Sequence, residues 1–460
     1  MKKFISKICA VAVALALASS PSQAQLTKAE KMDGWRLLFN GKNLDGWNQK
    51  NGEAKYEVIN GEIIGTTVAN TPNSFLCTNE TYGDFILELD LLVDDNMNSG
   101  IQFRSLSTPD FENGRVHGYQ MEIDPSSRAW SGGIYDEARR GWLCINDGNP
   151  KAQNAFKHND WNTYRIEAIG NTIRTFVNGV PIAHLIDDMT PEGLIALQVH
   201  SIYGSMKPGM QIKWKNIKIK TDKLTPSPYD DALVVNLLKN DLSAQEKAQG
   251  FSLLFNGKNF DGWRGANMEG MSGKRWSVED GLATVSKSDG SETGNDIVTK
   301  EQYGAFELKF DFRLTEGANS GVKYFVNEHL DAGGKSAIGL EYQVLDDEKH
   351  PDAKMGVVGN RTLGSLYDLI PSIKTGPRFA KKIGEWNQGR IVVMPDNTVQ
   401  HWLNGFKVVE YHRNDNIYKA LVARSKYAKY DGFGAGEVGH ILLQDHGDRV
   451  QFKSIKIRTL

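Results

Sequence analysis

Cysteine is scarce in this chain: 3 in 460 residues, and one of them, Cys9, lies in an apolar N-terminal run. Cys77 and Cys144 allow at most one bridge, which excludes a disulfide framework and leaves open whether the two pair or stay as buried thiols. An excess of either charge is missing as well. Lys and Arg number 54 against 56 Asp and Glu, a net −2, so no electrostatic field favours nucleic acid or an anionic membrane as partner. The apolar run Ile8 to Ala18 is eleven residues long, short of the roughly 20 needed to span a bilayer. No HExxH, CxxC pair, EF-hand loop, P-loop or GxSxG elbow occurs, which argues against zinc-protease, P-loop nucleotidase and serine-hydrolase chemistry.

What is present points to an exported β protein. Lys2 and Lys3 precede the apolar run, and Ser22-Gln23-Ala24 supplies small residues for a signal peptidase, so residues 1–24 are expected to be a cleaved signal peptide. Cys9 lies inside the run and not behind a lipobox at its end, so no lipid anchor is expected. Loss of Lys2, Lys3 and Lys7 takes the charge from −2 to −5. A periplasmic or secreted location follows, with no integral membrane segment; nothing indicates the oligomeric state. Glycine, at 46 residues, is about 10% of the chain against a usual 7% or so. With 10 tryptophans, that suggests turn-rich β structure with aromatic surfaces.

The decisive pattern is internal. Leu37-Leu38-Phe39-Asn40-Gly41-Lys42-Asn43-Leu44-Asp45-Gly46-Trp47 recurs from Leu253 to Trp263 with ten of eleven positions identical, 216 residues on. Just upstream, Thr27 with Glu30 and Ser243 with Glu246 both spell a capping box, so each repeat is expected to open with a short helix. Downstream landmarks keep their order: Asn98-Ser99-Gly100 with Asn319-Ser320-Gly321, Trp161-Asn162 with Trp386-Asn387, Asn178-Gly179 with Asn404-Gly405, and Gln198-Val199-His200 with Gln444-Asp445-His446. The closing strands Trp214 to Lys220 and Phe452 to Arg458 correspond too. Two homologous domains are expected, at 25–222 and 243–460. The segment 223–242 between them reads as a proline-marked linker (Pro226, Pro228) running into a short docking helix over Ala232 to Leu238.

Within each repeat the hydrophobic period is two. Phe85, Leu87, Leu89 and Leu91, and likewise Phe306, Leu308, Phe310 and Phe312, alternate with mostly polar neighbours. Asn178-Gly179 and Asn404-Gly405 sit between apolar runs, a strong hairpin signal because both turn residues must take positive φ. Many strands and few helical periods predict an all-β chain, each domain an antiparallel sandwich of two packed sheets.

LFNGKNLDGW, NSGI, an EYQ-type strand, a WN strand, an LNG hairpin and the closing strand together resemble the 3-keto-disaccharide hydrolase family over essentially both domains. The resemblance implies two tandem concanavalin A-like jelly rolls and a substrate already oxidised at C3 of a glucose unit. The chemistry it implies is base-assisted elimination at C1 followed by hydration.

Gly118 to Asp124 places Gln120, Glu122 and Asp124 on one face, and Gly339 to Asp346 places Glu341 and Gln343 on one face with Asp346 just beyond. A sandwich core rejects consecutive carboxylates, so that face is expected to open to a cleft; an ordinary solvated face is the plain alternative. Asp136, Glu137 and His200 complete the acid and base set of the first domain, and Asp368 and His446 that of the second. His200 and His446 occupy matching places, whereas His117, His350 and His401 have no counterpart in the other repeat. Arg104, with Tyr324 in the same place of the second repeat, is expected to donate to a sugar or keto oxygen. Trp130, Tyr135, Arg140 and Trp142 lie in a loop whose aromatic faces suit a pyranose; Gln120, Gln343, His350 and Tyr367 complete the substrate contacts. Acid and amide exchange places between repeats, Glu122 against Gln343 and Gln120 against Glu341. A divalent metal at the enolate oxygen would fit this chemistry, but no ligand spacing singles one out. A non-catalytic lectin-like protein is the rival reading. A retaining glucanase would need a tight ExDxxE strand that the sequence lacks.

Overall fold

The computed structural model describes residues 25–204, 206–230, 232–271, 275–290, 295–331, 337–375 and 380–460; the expected signal peptide, 1–24, lies outside them. Among the described residues the chain forms four sheets, two from the first part and two from the second. No described helix is long and apolar enough to cross a membrane.

Local signals materialise where the chemistry demanded them. Thr27 and Ser243 cap the helices Lys28–Met32 and Ala244–Ala248, and in both boxes the side chain of N3 (Glu30, Glu246) accepts the cap amide in return. Asn178 and Gly179 take φ of 50° and 78°, and Asn404 and Gly405 take 49° and 85°, closing hairpins between Val177 and Val180 and between Leu403 and Phe406. The alternating strands Phe85–Val93 and Phe306–Leu314 bury their predicted apolar faces in the two cores.

In the first domain a nine-stranded sheet, with Phe85–Val93 near its middle, packs on a seven-stranded one. The smaller sheet runs in the order Gly141–Cys144, Ile134–Glu137, Gly118–Ile123, Ser99–Ser105, Leu194–Val199, Ser74–Thr78, Trp47–Asn51. The second domain repeats this with eight strands against five, the latter ordered Trp263–Gly265, Ile297–Thr299, His440–Leu443, Asn319–Asn327, Ile338–Leu345. The two extra strands of the first domain, Ile134–Glu137 and Gly141–Cys144, extend one flank of its smaller sheet. At the matching place in the second domain Leu366 makes only a single bridge to Tyr342. Both units are antiparallel sandwiches of the jelly-roll type, as expected.

The segment 223–242 departs from expectation. Val234–Asn236 is not helical: it is a strand that adds in parallel to Val180–Ile186 at the edge of the first domain's larger sheet. A run of β-branched residues beside an open sheet edge gains more from pairing than from one helical turn. Arg174 pins the preceding stretch by donating to the carbonyls of Ser227 and Pro228. Beyond the strand, Asn240 donates to the Gly281 carbonyl at 2.7 Å and accepts from Ser454 N at 2.8 Å, both in the second domain. The domains also touch directly: Trp130 and Ile145 of the first bury Phe406 of the second, with Trp130 and Phe406 ring centres 5.5 Å apart. Cys77 and Cys144 are both buried and unbridged, and burial pushes each thiol up to about 12.

Candidate functional site

The side-chain period of two sets up the first domain's site. On the three central strands of the smaller sheet, Ile101, Phe103, Tyr119, Met121, Ile195 and Leu197 point into the core. Gln102, Gln120, Glu122 and Gln198 therefore share the other face. They form a ladder: Gln102 Nε2 and Gln198 Nε2 donate to Gln120 Oε1 at 2.5 and 3.0 Å, and Gln120 Nε2 donates to Glu122 Oε2 at 2.9 Å. Asn98 Nδ2 donates to Glu122 Oε1 at 2.6 Å. Gly100, opposite Glu122 in register, makes room for this: a Cβ there would lie 2.3 Å from Gln120 Cδ.

The face opens into a cavity of about 710 Å³ lined by Gln120, Glu122, Asp124, Tyr135, Glu137, Trp142, Gln198 and His200, together with Asn73, Asp95, Asn98, Arg115, Arg128 and Tyr203. Tyr135 and Trp142 meet edge to face at 5.1 Å, an aromatic wall suited to a sugar ring. Arg128 Nε donates to Asp124 Oδ2 at 2.8 Å and its Nη2 lies 3.5 Å from Glu122 Oε1; the guanidinium is stacked 4.4 Å from the Trp130 ring centre and 5.2 Å from that of Trp142. Arg115 Nη2 donates to Glu137 Oε1 at 3.1 Å. His200 is half-buried, its Nδ1 2.7 Å from the Ser201 carbonyl. Glu122 is 3% exposed. Burial pushes its carboxyl up to about 7, although Asn98, Gln120 and Arg128 all favour the charged form.

Five predicted site residues lie elsewhere. Arg104, 1% exposed, donates to the carbonyls of Gly83 and Gly170 and to Asp84, each at 2.8 Å, so it ties turns together and does not reach the cavity. Its backbone explains the error: φ of 43° at Arg104 makes a bulge that breaks the alternation after Gln102. Tyr324 is not its counterpart. In register Tyr324 matches Phe103 and Phe325 matches Arg104, with φ of 50°; Tyr324 is a core residue whose hydroxyl meets His401 Nε2 at 2.8 Å. Asp136 is fully buried and accepts from Arg139 Nε and Arg140 Nε, while Arg140 Nη2 also donates to Asp187. Trp130 is buried against Phe406, under Arg128 and outside the cavity lining. The missed residues Arg128, Arg115 and Asn98 come from connecting segments, where no periodicity marks which way a side chain turns.

The second domain keeps the frame and changes the chemistry. Gly321 faces Gln343 as Gly100 faces Glu122, and Lys323 faces Glu341 as Gln102 faces Gln120, so the exchange of acid and amide holds in register. A Cβ on Gly321 would lie 2.2 Å from Glu341 Oε1. Burial raises the Glu341 carboxyl, opposed by the charges of Lys323 and Lys426. The Gln343 side-chain amide lies 3.2 Å from that of Asn319 and within reach of Glu341 Oε1. Asp346 accepts the amides of Gly317, Glu348 and Lys349 and so caps a turn. Asp368 accepts from Arg361 Nε at 2.7 Å, and Tyr367 Oη donates to Asp352 at 2.7 Å, so both are held within one charged loop cluster. His350 and His446 come together with ring centres 5.9 Å apart. The glycine run Gly434, Gly436, Gly439 has GxGxxG spacing but leads into the strand His440–Leu443 and no helix, so it is not a dinucleotide-binding turn.

Both halves of the chain are similar to known proteins. A sequence model of the 3-keto-alpha-glucoside-1,2-lyase-like domain matches residues 34–220 and again 250–458. A 3-keto-disaccharide hydrolase of Bacteroides thetaiotaomicron is 35% identical over 235 residues, 46% of this chain and 79% of that protein. A putative glycosyl hydrolase structure from Parabacteroides distasonis shares 33% identity, with 48% of this chain and all of that one covered at a TM-score of 0.43. A second structure from the same organism shares 27% identity over 46% of this chain and 99% of its own, at a TM-score of 0.34. The chain belongs to the 3-keto-alpha-glucoside-1,2-lyase-like family, which its sequence enters twice.

Proposed function

We propose that the first domain's cavity cleaves the glycosidic bond of 3-keto-glycosides. The observation that carries this reading is Glu122: a buried carboxyl held near neutrality by its surroundings, at the wall of a sugar-sized cavity and beside a cation. A C3 ketone acidifies the C2 proton. Glu122 takes that proton, leaving an enolate whose charge on the C3 oxygen is met by Arg128 and the amides around it. When the carbonyl re-forms, the electron pair makes the C1–C2 double bond and the C1 oxygen leaves, taking a proton from Glu137 or His200. Water then adds at C1 and a proton returns to C2, so the sum is hydrolysis. Tyr135 and Trp142 hold the ring.

We read the chain as exported, on the strength of Lys2, Lys3 and the apolar run before Ser22-Gln23-Ala24. The test of function is incubation of the full chain with a 3-keto-disaccharide in D2O. Release of free sugar, with deuterium at C2 of recovered keto-sugar, is expected from the wild type and not from Glu122→Gln. Binding of the sugar without turnover overturns the enzyme reading in favour of a lectin-like one.

A further inference from the structure

We propose that Phe406 of the second domain is a positioning residue for the first domain's cavity: through Trp130 it holds Arg128 and the aromatic wall in place. Phe406 follows the Asn404-Gly405 turn, where the first repeat has Val180 after Asn178-Gly179. Side chains at such turns ordinarily face solvent. Phe406 is instead 3% exposed, and the buried residues it clusters with, Trp130 and Ile145, both belong to the first domain.

From Phe406 the contacts run ring to ring into the cavity. Its centre lies 5.5 Å from that of Trp130, Trp130 meets Trp142 edge to face at 4.7 Å, and Trp142 meets Tyr135 at 5.1 Å. Trp130 also carries Arg128, whose guanidinium carbon sits 4.4 Å from the ring centre. A long side chain on a connecting segment has many rotamers of similar energy, and holding one of them costs entropy. Stacking on a fixed indole selects the rotamer that puts Nε 2.8 Å from Asp124 Oδ2 and Nη2 3.5 Å from Glu122 Oε1. If Trp130 loses its backing, that selection weakens.

The flank that receives this support is the one that needs it. Tyr135 and Trp142 sit on Ile134–Glu137 and Gly141–Cys144, the outermost strands of the smaller sheet on that side, and Gly141–Cys144 is paired along one edge alone. The second domain backs the same flank at three more points. A Cβ on Gly148 would lie 2.9 Å from Trp402 Cη2, a Cβ on Gly405 would lie 3.2 Å from Ile145 Cγ1, and Lys381 Nζ donates to the Arg140 carbonyl at 3.1 Å. That Arg128 and the wall act on a 3-keto-glycoside rests on the function proposed above; that Phe406 fixes their geometry does not.

The test compares Phe406→Ala, Phe406→Leu and Arg128→Ala in the full chain. Its main readout is independent of turnover: the titration of Glu122, followed by 13C NMR of protein labelled at the glutamate side-chain carboxyl and assigned with Glu122→Gln. The charged and titratable groups around Glu122 are Asp95, Asp124, Arg115, Arg128, Tyr135, Glu137 and His200 in the cavity, and Tyr164 in the core. Of these, Arg128 is the cation that pairs with its carboxyl. Phe406→Ala should therefore move the Glu122 midpoint to higher pH by about half a unit or more, and leave it in place when Arg128 is already alanine. Phe406→Leu, which keeps an apolar body against Trp130, should restore the wild-type midpoint. The kcat/KM of Phe406→Ala should fall roughly fivefold or more, with the same upward shift in its pH profile. Calorimetric melts confirm folding; if Phe406→Ala does not fold, Phe406→Val, which matches Val180 of the first repeat, is measured in its place. A Glu122 midpoint unmoved by the substitution, or moved as far without Arg128, or not restored by leucine, overturns the proposal. Failure of the wild type to turn over a 3-keto-disaccharide would sink the reaction proposed for the first domain and leave the titration to decide the role of Phe406.

Discussion

Gln102 and Lys323 occupy one register position in the two domains, the first across from Gln120 and the second across from Glu341. An amide in one sheet answers an amide, and a cation in the other answers an acid. The first domain holds Glu122 between the amides of Asn98 and Gln120 with Arg128 3.5 Å away, while the second holds its carboxylate under the charge of Lys323 and Lys426. This asymmetry predicts unequal mutants. Glu122→Gln should lower turnover of a 3-keto-disaccharide at least a hundredfold, whereas Glu341→Gln should retain most of it. Initial rates of sugar release by the two full-length variants decide the matter.

The pH profile should report the same carboxyl. Burial raises Glu122 to about 7, so the basic form accumulates, and kcat/KM should climb, as pH rises through about 7. Arg128 favours the charged form. Its replacement by alanine should move the midpoint of the profile to higher pH, a shift that simple loss of packing would not produce.

A methyl group at Gly100 should disturb the site more than the fold. Its Cβ would meet the Gln120 side chain, whose amide can swing away, but only by leaving Glu122. Gly100→Ala is expected to lower kcat/KM at least tenfold while the melting temperature moves by a few degrees, compared by kinetics and calorimetry on one preparation.

Arg104→Ala should behave in the opposite way. The buried guanidinium satisfies the carbonyls of Gly83 and Gly170 and pairs with Asp84. Its removal leaves a void where a fully buried side chain stood and unties the two turns, a loss of about 3 kcal/mol. In urea unfolding the midpoint should fall, and the kcat/KM of the fraction that remains folded should match wild type.

Asp311 gives a stability test free of the site. Burial raises its carboxyl to about 6, against the pull of Lys453 and Lys456. A group raised in the folded state contributes stability that is complete at pH below the unfolded value near 4 and is lost as pH rises through about 6. Between pH 5 and pH 8, Asp311→Asn should remove about 1 kcal/mol of that decline, read as a flatter dependence of melting temperature on pH.

How much of this was legible depended on whether a signal was local. Capping boxes, Asn-Gly turns and the two-residue period fix short stretches of backbone through their own hydrogen bonds and sterics, and they were read correctly. The face carrying Gln120 and Glu122 was legible because a core cannot hold unpaired carboxylates in succession. Arg104 was not, since a single left-handed residue turns a strand over without any change in its pattern of polarity. Arg128 and Arg115 were missed because they reach the cavity from connecting segments. Val234–Asn236 went astray because only the open edge offered by Val180–Ile186, far away in sequence, decides between helix and strand.

That added strand has a practical bearing on any attempt to halve the protein. Because the peptide after Asp222 completes the first sandwich with Val234–Asn236 and then fastens to the second through Asn240, a cut at 222 leaves the first sandwich unfinished, whereas a cut after 242 costs the second only its Asn240 contacts. A fragment ending at 222 would present a bare lateral row of amides and carbonyls beside Val180–Ile186, an invitation to stick to its own kind. It would also strip the cover from Trp130, on which Arg128 rests. Dissection therefore belongs after residue 242, and even there the severed N-terminal piece gives up the aromatic hand-hold of Phe406.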